Sequence, residues 1–168
     1  MSGIIRYFYV PFEDPSFVDM CKEVKIPANF RRVVKSYAPT KKNQLSWATR
    51  WDQVYVMGHG APGADDIEDN KGTQLAINGI VDRLKHEGLS KNHHLIKLWA
   101  CSGGAGGKNS TAYKLLKALR AAGYSKVKVA GYTETITTSV NGHKRALSHD
   151  DDSDVGRASE HRVLFANL

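Results

Sequence analysis

Cysteine is nearly absent from this chain, with only Cys21 and Cys101 in 168 residues. Two cysteines cannot build a disulfide framework, and no CxxC pair offers a zinc site. At least one thiol is therefore free for chemistry, which suits a reducing compartment. Long apolar runs are missing too. None approaches the roughly 20 residues of a membrane helix, so no membrane span is expected. Met1 to Val10 has no long apolar core and no small-residue cleavage site, so no signal peptide is expected and export would need another route. There is no internal repeat and no low-complexity linker, which leaves one domain over residues 1–168. Acidic residues are in deficit, 17 against 24 Lys and Arg, for a net charge of +7. That imbalance suits an anionic partner (nucleic acid, a phosphorylated small molecule or a lipid surface) or simply a soluble basic surface.

What is present alternates strand and helix, the pattern of a wound α/β sheet. Residues 4–10 read as a first strand closed by Pro11. Residues 16–36 read as a helix broken at Pro27, and 38–50 as a polar, basic loop. Residues 54–57 and 95–100 are apolar runs, short enough for buried parallel strands. Ile77, Ile80, Val81 and Leu84 recur at helical spacing, which predicts a helix over 73–87. Residues 110–122 form the clearest helix, with Asn109 or Ser110 to cap it and Gly123 to end it. Residues 127–130 read as a further strand. Beyond them, two extended stretches flank Asn141-Gly142, a strong hairpin signal. Residues 149–154 read as an acidic loop, and 162–165 as a last strand.

The two central apolar runs end alike. Val-Tyr-Val-Met-Gly58 delivers His59 and Gly60; Leu-Ile-Lys-Leu-Trp-Ala100 delivers Cys101, Ser102 and two glycines. The carboxyl ends of parallel strands line the crevice where α/β proteins place their sites. If the runs are neighbouring strands joined by the helix at 73–87, His59 and Cys101 emerge side by side. A thiol beside a histidine can lose its proton and act as a nucleophile. Gly60 allows a carbonyl to approach the backbone, and its N–H can stabilise an oxyanion. Taken singly, Cys101 reads as core and His59 as a turn residue. Taken together they read as a catalytic pair.

Other motifs carry less. Gly58-His-Gly-Ala-Pro-Gly63 matches GxGxxG, but Pro62 and the polar stretch 64–72 leave no helix to open there. Gly107-Lys108 lacks the first glycine of a phosphate loop and has Asn109 in place of Ser or Thr, although a phosphate at that helix start is physically possible. The acidic run 149–154 lacks an EF-hand pattern. His86, His93, His94, His143 and His161 have no metal-ligand spacing and read as surface, so no metal is expected. Cys21 reads as core.

His-Gly after one apolar strand and Cys after the next resembles the clan CD cysteine peptidases. Within that clan the chain is most similar to the self-cleaving peptidase domains of large bacterial toxins, the glucosylating clostridial and multifunctional RTX toxins. Val56-Met-Gly-His59-Gly60, Leu98-Trp-Ala-Cys101 and Asn141-Gly-His-Lys-Arg-Ala-Leu147 carry the likeness, which runs from about residue 50 to the C-terminus; residues 1–45 match poorly. The resemblance implies a caspase-like three-layer α/β/α sandwich, mostly parallel, with a hairpin flap and final strand over 132–168. It implies cleavage of a protein or peptide, typically after leucine, with Cys101 as nucleophile, His59 as proton carrier and Gly60 as oxyanion donor. An acidic residue after the first strand orients the histidine in that family. Asp14 stands there, with Glu13 and Asp52 as competitors.

The resemblance also implies an allosteric activator, inositol hexakisphosphate, held by basic residues against the flap. Lys144 and Arg145 match by position, and Arg50, Lys126, Lys128, Arg157 and Arg162 are further candidates. The family's domains lie inside giant toxins, whereas this chain begins at Met1, which points to a small bacterial effector acting on a host protein rather than on itself; a cytoplasmic enzyme is the other placement. Two other functions remain open: a clan CD peptidase without a phosphate switch, and a non-catalytic α/β domain that binds nucleotide or nucleic acid. Salt-dependent nucleic-acid binding without thiol reactivity would mark the latter.

Overall fold

Five parallel strands and one antiparallel strand carry the functional residues. The computed structural model describes residues 3–140, 143–148 and 150–168. Strand β1 (Ile5–Val10) leads into α1 (Pro15–Glu23). Asp14 caps that helix by accepting the amides of Ser16 and Phe17, and Pro15 fits its first turn. A second strand, β2 (Arg31–Ser36), follows. The helix expected across 16–36 therefore ends early, and its second half is an edge strand parallel to β1. Val33 and Val34 favour extended backbone and pack one face each.

Strand β3 (Gln53–Met57), the short strands β4 (Asp66–Glu68) and β5 (Gln74–Ala76), helix α2 (Ile77–His86) and strand β6 (Leu95–Trp99) come next. The helix expected from 73 begins at Ile77, because 74–76 pair with β4 instead. Ile67 of β4 is fully buried and lies over Gly58, where a Cβ would fall 2.9 Å from the Ile67 Cβ. The polar stretch 64–72 is thus pinned to the end of β3. Ser110 caps α3 (Thr111–Ala121) by accepting the Tyr113 amide at 3.1 Å, and Gly123 ends the run at φ 96°. The helix buries Ala112, Leu115, Leu116 and Leu119, with roughly 1.5–3 kcal/mol for each buried Leu.

The chain closes with β7 (Lys128–Tyr132), β8 (Thr135–Val140), β9 (His143–Leu147), β10 (Asp154–Arg157) and β11 (Arg162–Phe165). The central sheet has the order β11-β7-β6-β3-β1-β2, parallel throughout except for β11. Strands β8, β9 and β10 form a separate antiparallel sheet. The expected Asn141-Gly142 turn lies outside the described residues, and the acidic loop gives way to β10 at Asp154.

Strand alternation sorts the side chains onto two faces. Val54, Val56, Ile96 and Leu98 share one face. Gly131, paired with Leu98, would drive a Cβ to 2.7 Å from Ala112 of α3, so α3 covers that face and α2 packs beside it. Phe8, Tyr55, Lys97 and Trp99 share the other. Lys144 of β9 reaches over the Phe8, Tyr55 and Trp99 rings. Arg32, on the same face, donates to the Cys21, Lys22 and Val24 carbonyls of α1. The small sheet and α1 therefore lie together, opposite the two long helices. No described helix is long and apolar enough to cross a membrane.

Candidate functional site

Strands β3 and β6 are direct neighbours, with Met57 paired to Trp99. Two residues further along each strand stand His59 and Cys101, at the same level and at the carboxyl ends. Gly58 continues the ladder by donating to the Trp99 carbonyl at 3.2 Å. At Gly60 the two strand ends almost touch: a Cβ there would lie 2.8 Å from the Cys101 carbonyl oxygen and 2.8 Å from the Ala100 Cβ. Only glycine fits. Among the described residues, the amides of Gly60 and Cys101 donate to no protein acceptor.

The turn after Cys101 is compressed. Ser102 takes a left-handed backbone, φ 53°, which costs a non-glycine residue of order 1 kcal/mol. Its amide donates to the Glu134 carbonyl at 3.0 Å and that of Gly104 to Tyr132 at 2.8 Å. Cys101 is half-buried, with its Sγ 4.0 Å from the Ile136 carbonyl of β8. Cys21 is fully buried, as expected, and burial pushes its thiol up to about 12, so it is inert at neutral pH.

His59 is exposed, its ring 5.0 Å from that of Phe17. Its Nε2 donates to Oδ1 of Asn70; that leaves the lone pair of the neutral ring on Nδ1. The Asn70 amide nitrogen donates in turn to the Ser16 hydroxyl. Asp14 stands one step back. It does not touch His59; its Oδ2 accepts the Asn70 backbone amide at 2.9 Å, and its Oδ1 accepts from Ser16 and Phe17. These hydrogen bonds hold its carboxyl below the usual range against the opposing effect of burial. The residue against the histidine is therefore Asn70. Asp52 braces the far end of the sheet by accepting from Ile5 and Thr49, away from His59.

The seven basic candidates divide between two cavities. Lys144, Arg145, Arg157 and Arg162 line one of about 780 Å³, together with Arg6 and Lys25. Arg50, Lys126, Lys128 and again Arg162 line another of about 860 Å³. In the first, Lys144 Nζ sits 4.1 Å from the Tyr55 ring centre and 4.8 Å from that of Trp99. Burial, then repulsion from Arg6 and Lys97, lowers it to about 6. Lys97, 4 % exposed, donates to Gln53 and Tyr55 at 3.0 and 3.2 Å. Burial, then Arg162 and Arg6, lowers it to about 7. Arg6 Nε is buried without a hydrogen-bond partner among the described residues. Arg145 is already paired to Asp154 at 2.7 and 2.9 Å. Arg6, Lys25, Arg157 and Arg162, lining one cavity beside the Arg145–Asp154 pair, form a candidate anion site, and an anion there would draw Lys144 back to its charged form.

A family described as a domain of unknown function, DUF8616, matches residues 29–146. The chain belongs to this family. The DUF8616 match takes in His59, Asn70, Cys101 and Lys144, and leaves Asp14, Arg157 and Arg162 outside. No curated protein matches the chain.

Sequence patterning missed Asn70, which lies in a polar turn with no periodicity, and Lys97, whose strand position marks it as buried once the face is known. It also placed His93 at the surface. His93 is fully buried, its Nε2 2.8 Å from the Leu95 carbonyl, in the turn that opens β6. Among the described residues, no group of three His, Cys, Asp or Glu is placed to hold a metal.

Proposed function

We propose that the chain is a cysteine endopeptidase of caspase-like arrangement, with Cys101 and His59 as its dyad and a polyphosphate-responsive flap. One observation carries the reading: two adjacent parallel strands end at one level in a histidine and a half-buried cysteine, with glycine between them. Cys101 gives its proton to His59 Nδ1, and the thiolate sulfur bonds to the substrate carbonyl carbon. The C=O electron pair moves onto oxygen, which the Gly60 and Cys101 amides receive. His59 then passes its proton to the departing amine as the C–N bond breaks, and water hydrolyses the thioester. Asn70 engages Nε2 and so leaves Nδ1 to take the thiol proton.

The flap is the sheet β8-β9-β10. It touches Cys101 through Ile136 and carries Lys144 into the cation-rich cavity. Inositol hexakisphosphate, the activator that the toxin-domain resemblance implies, suits that cavity by charge and size. The test is labelling by a leucyl peptide thiol-alkylating probe, with and without inositol hexakisphosphate. Labelling of Cys101 that is lost in Cys101→Ala and kept in Cys21→Ala is expected. Equal labelling of both cysteines only after unfolding would refute the dyad.

A further inference from the structure

The second basic cavity is not needed by this scheme. It lies at the amino-terminal ends of β3, β6 and β7, at the opposite end of the sheet from Cys101. Arg50, Lys97, Arg120, Lys126, Lys128 and Arg162 line it, and no carboxylate does among the described residues. Two of these cations are held in place by neutral oxygens. Arg120 donates to the Val127 and Ala166 carbonyls at 2.8 Å, and Lys97 to Gln53 and Tyr55. Lys126 and Lys128 are exposed. A concavity with one sign of charge concentrates anions, and fixed donors lose little entropy on binding them.

Trp51 distinguishes this cavity from the one that Lys144 enters, which it does not line. It is 62 % exposed at the cavity wall. Arg50 lies 4.8 Å from its ring centre, and the His94 ring meets it edge-on at 4.8 Å. The rings lining the flap cavity, Tyr55 and Tyr132, are 1 % and 2 % exposed, so they offer no free surface to a planar group. Of the two basic cavities, the second pairs an accessible aromatic corner with several cations. A ligand using both needs a flat ring and a multiply charged tail, joined within about 860 Å³. We infer that this cavity binds a nucleoside triphosphate, its base against Trp51 and His94 and its phosphates among Arg50, Lys126, Lys128 and Arg162. The inference rests on neither the dyad nor the inositol phosphate.

The test is calorimetric titration of the full chain at moderate salt with ATP, inorganic tripolyphosphate, adenosine and a short single-stranded oligonucleotide. Saturable ATP binding is expected, with tripolyphosphate about tenfold weaker, the size of one stacking contact, and adenosine weaker still. Trp51→Ala should reduce ATP to the tripolyphosphate level. Lys126→Glu with Lys128→Glu should weaken both phosphates by more than tenfold, while Lys144→Glu leaves ATP binding unchanged. All three variants can be checked for folding by circular dichroism. Equal affinity for ATP and tripolyphosphate overturns the inference, as does an unaffected Trp51→Ala or a loss in Lys144→Glu as large as in the double variant. Tighter binding of the oligonucleotide than of ATP would reassign the cavity to nucleic acid, and no binding by any of them would overturn it outright.

Discussion

At the scale of single residues, the proposed site consists of one pair suggested by sequence pattern and one partner, Asn70, that pattern does not report. His59 and Cys101 are legible because each is the first reactive side chain after a buried apolar run, and the carboxyl end of such a run is a fixed place in a parallel sheet. Asn70 comes from a turn 11 residues beyond His59 and is positioned by a hydrogen bond from its own backbone to Asp14. No spacing rule reports that. Asp14 is legible as an acid after the first strand, but its distance from the imidazole is set by the α1 cap. On the proposed mechanism Asn70 is a positioning residue. Asn70→Ala should lower kcat/KM by about 10²-fold, the cost of a misplaced base. Asn70→Asp should retain more activity and move the acidic limb of the pH–rate profile upward, since a carboxylate stabilises the imidazolium. A purely structural Asn70 would leave that limb in place. Gly60→Ala should be as damaging as Asn70→Ala. Its methyl would meet backbone oxygen at 2.8 Å, which no side-chain rotation relieves, and peptide-probe labelling of Cys101 reads the loss.

At the scale of elements, the strands facing helices on both sides of their sequence were legible, and the edge and cross-sheet strands were not. Strands β3 and β6 announce themselves by short, mostly apolar runs, with Lys97 as the exception in β6. Strand β2 mixes arginines with valines because one side of it is open, so its pattern resembles a broken helix. Strand β10 is mostly exposed and exists because it pairs with β9. The most informative element is β9, which puts Lys144 against three aromatic rings beside Lys97. Both lysines have folded-state values, about 6 and about 7, far below an ordinary lysine near 10.4. Between those limits the unfolded chain binds more protons than the folded one, so stability rises with pH across that window and falls toward pH 6. The slope is at most about 1.4 kcal/mol per pH unit for each lysine, lessened by the partial exposure of Lys144. Urea midpoints from pH 6 to 9 should climb, and Lys144→Met should flatten the climb. A multivalent anion in the cavity favours the charged lysines, so its binding should take up protons. Inositol hexakissulfate, whose sulfates do not titrate, is the clean probe: heats measured in buffers of different protonation enthalpy should differ in the direction of uptake. Equal heats would mean that both lysines are already charged in the free protein.

At the scale of the whole molecule, one small sheet meets both the strand end that carries Cys101 and the basic cavity that Lys144 enters. Strand β8 places Ile136 against Cys101, and Ile136 pairs with Ala146 of β9, two residues from Lys144. Ile136 and Ala146 are only 9 % and 0 % exposed, so a shift of β9 cannot occur without moving β8. Anion binding that relieves repulsion around Lys144 should therefore reach the thiol through two paired strands rather than through the central sheet, whose register leaves no room to slide. Ile136→Ala separates the two steps. The contact to Cys101 is made by the Ile136 backbone carbonyl, so truncating the buried side chain loosens the packing that holds β8 there but leaves the basic cavity intact, and inositol hexakisphosphate should still raise the melting temperature by mass action. The acceleration of Cys101 labelling by the ligand should fall several-fold in the same variant. Lys144→Glu should do the opposite, losing the stabilisation while leaving the ligand-free labelling rate near its original value. If Ile136→Ala keeps full acceleration, the signal does not pass through β8, and the coupling proposed here fails even though both sites stand.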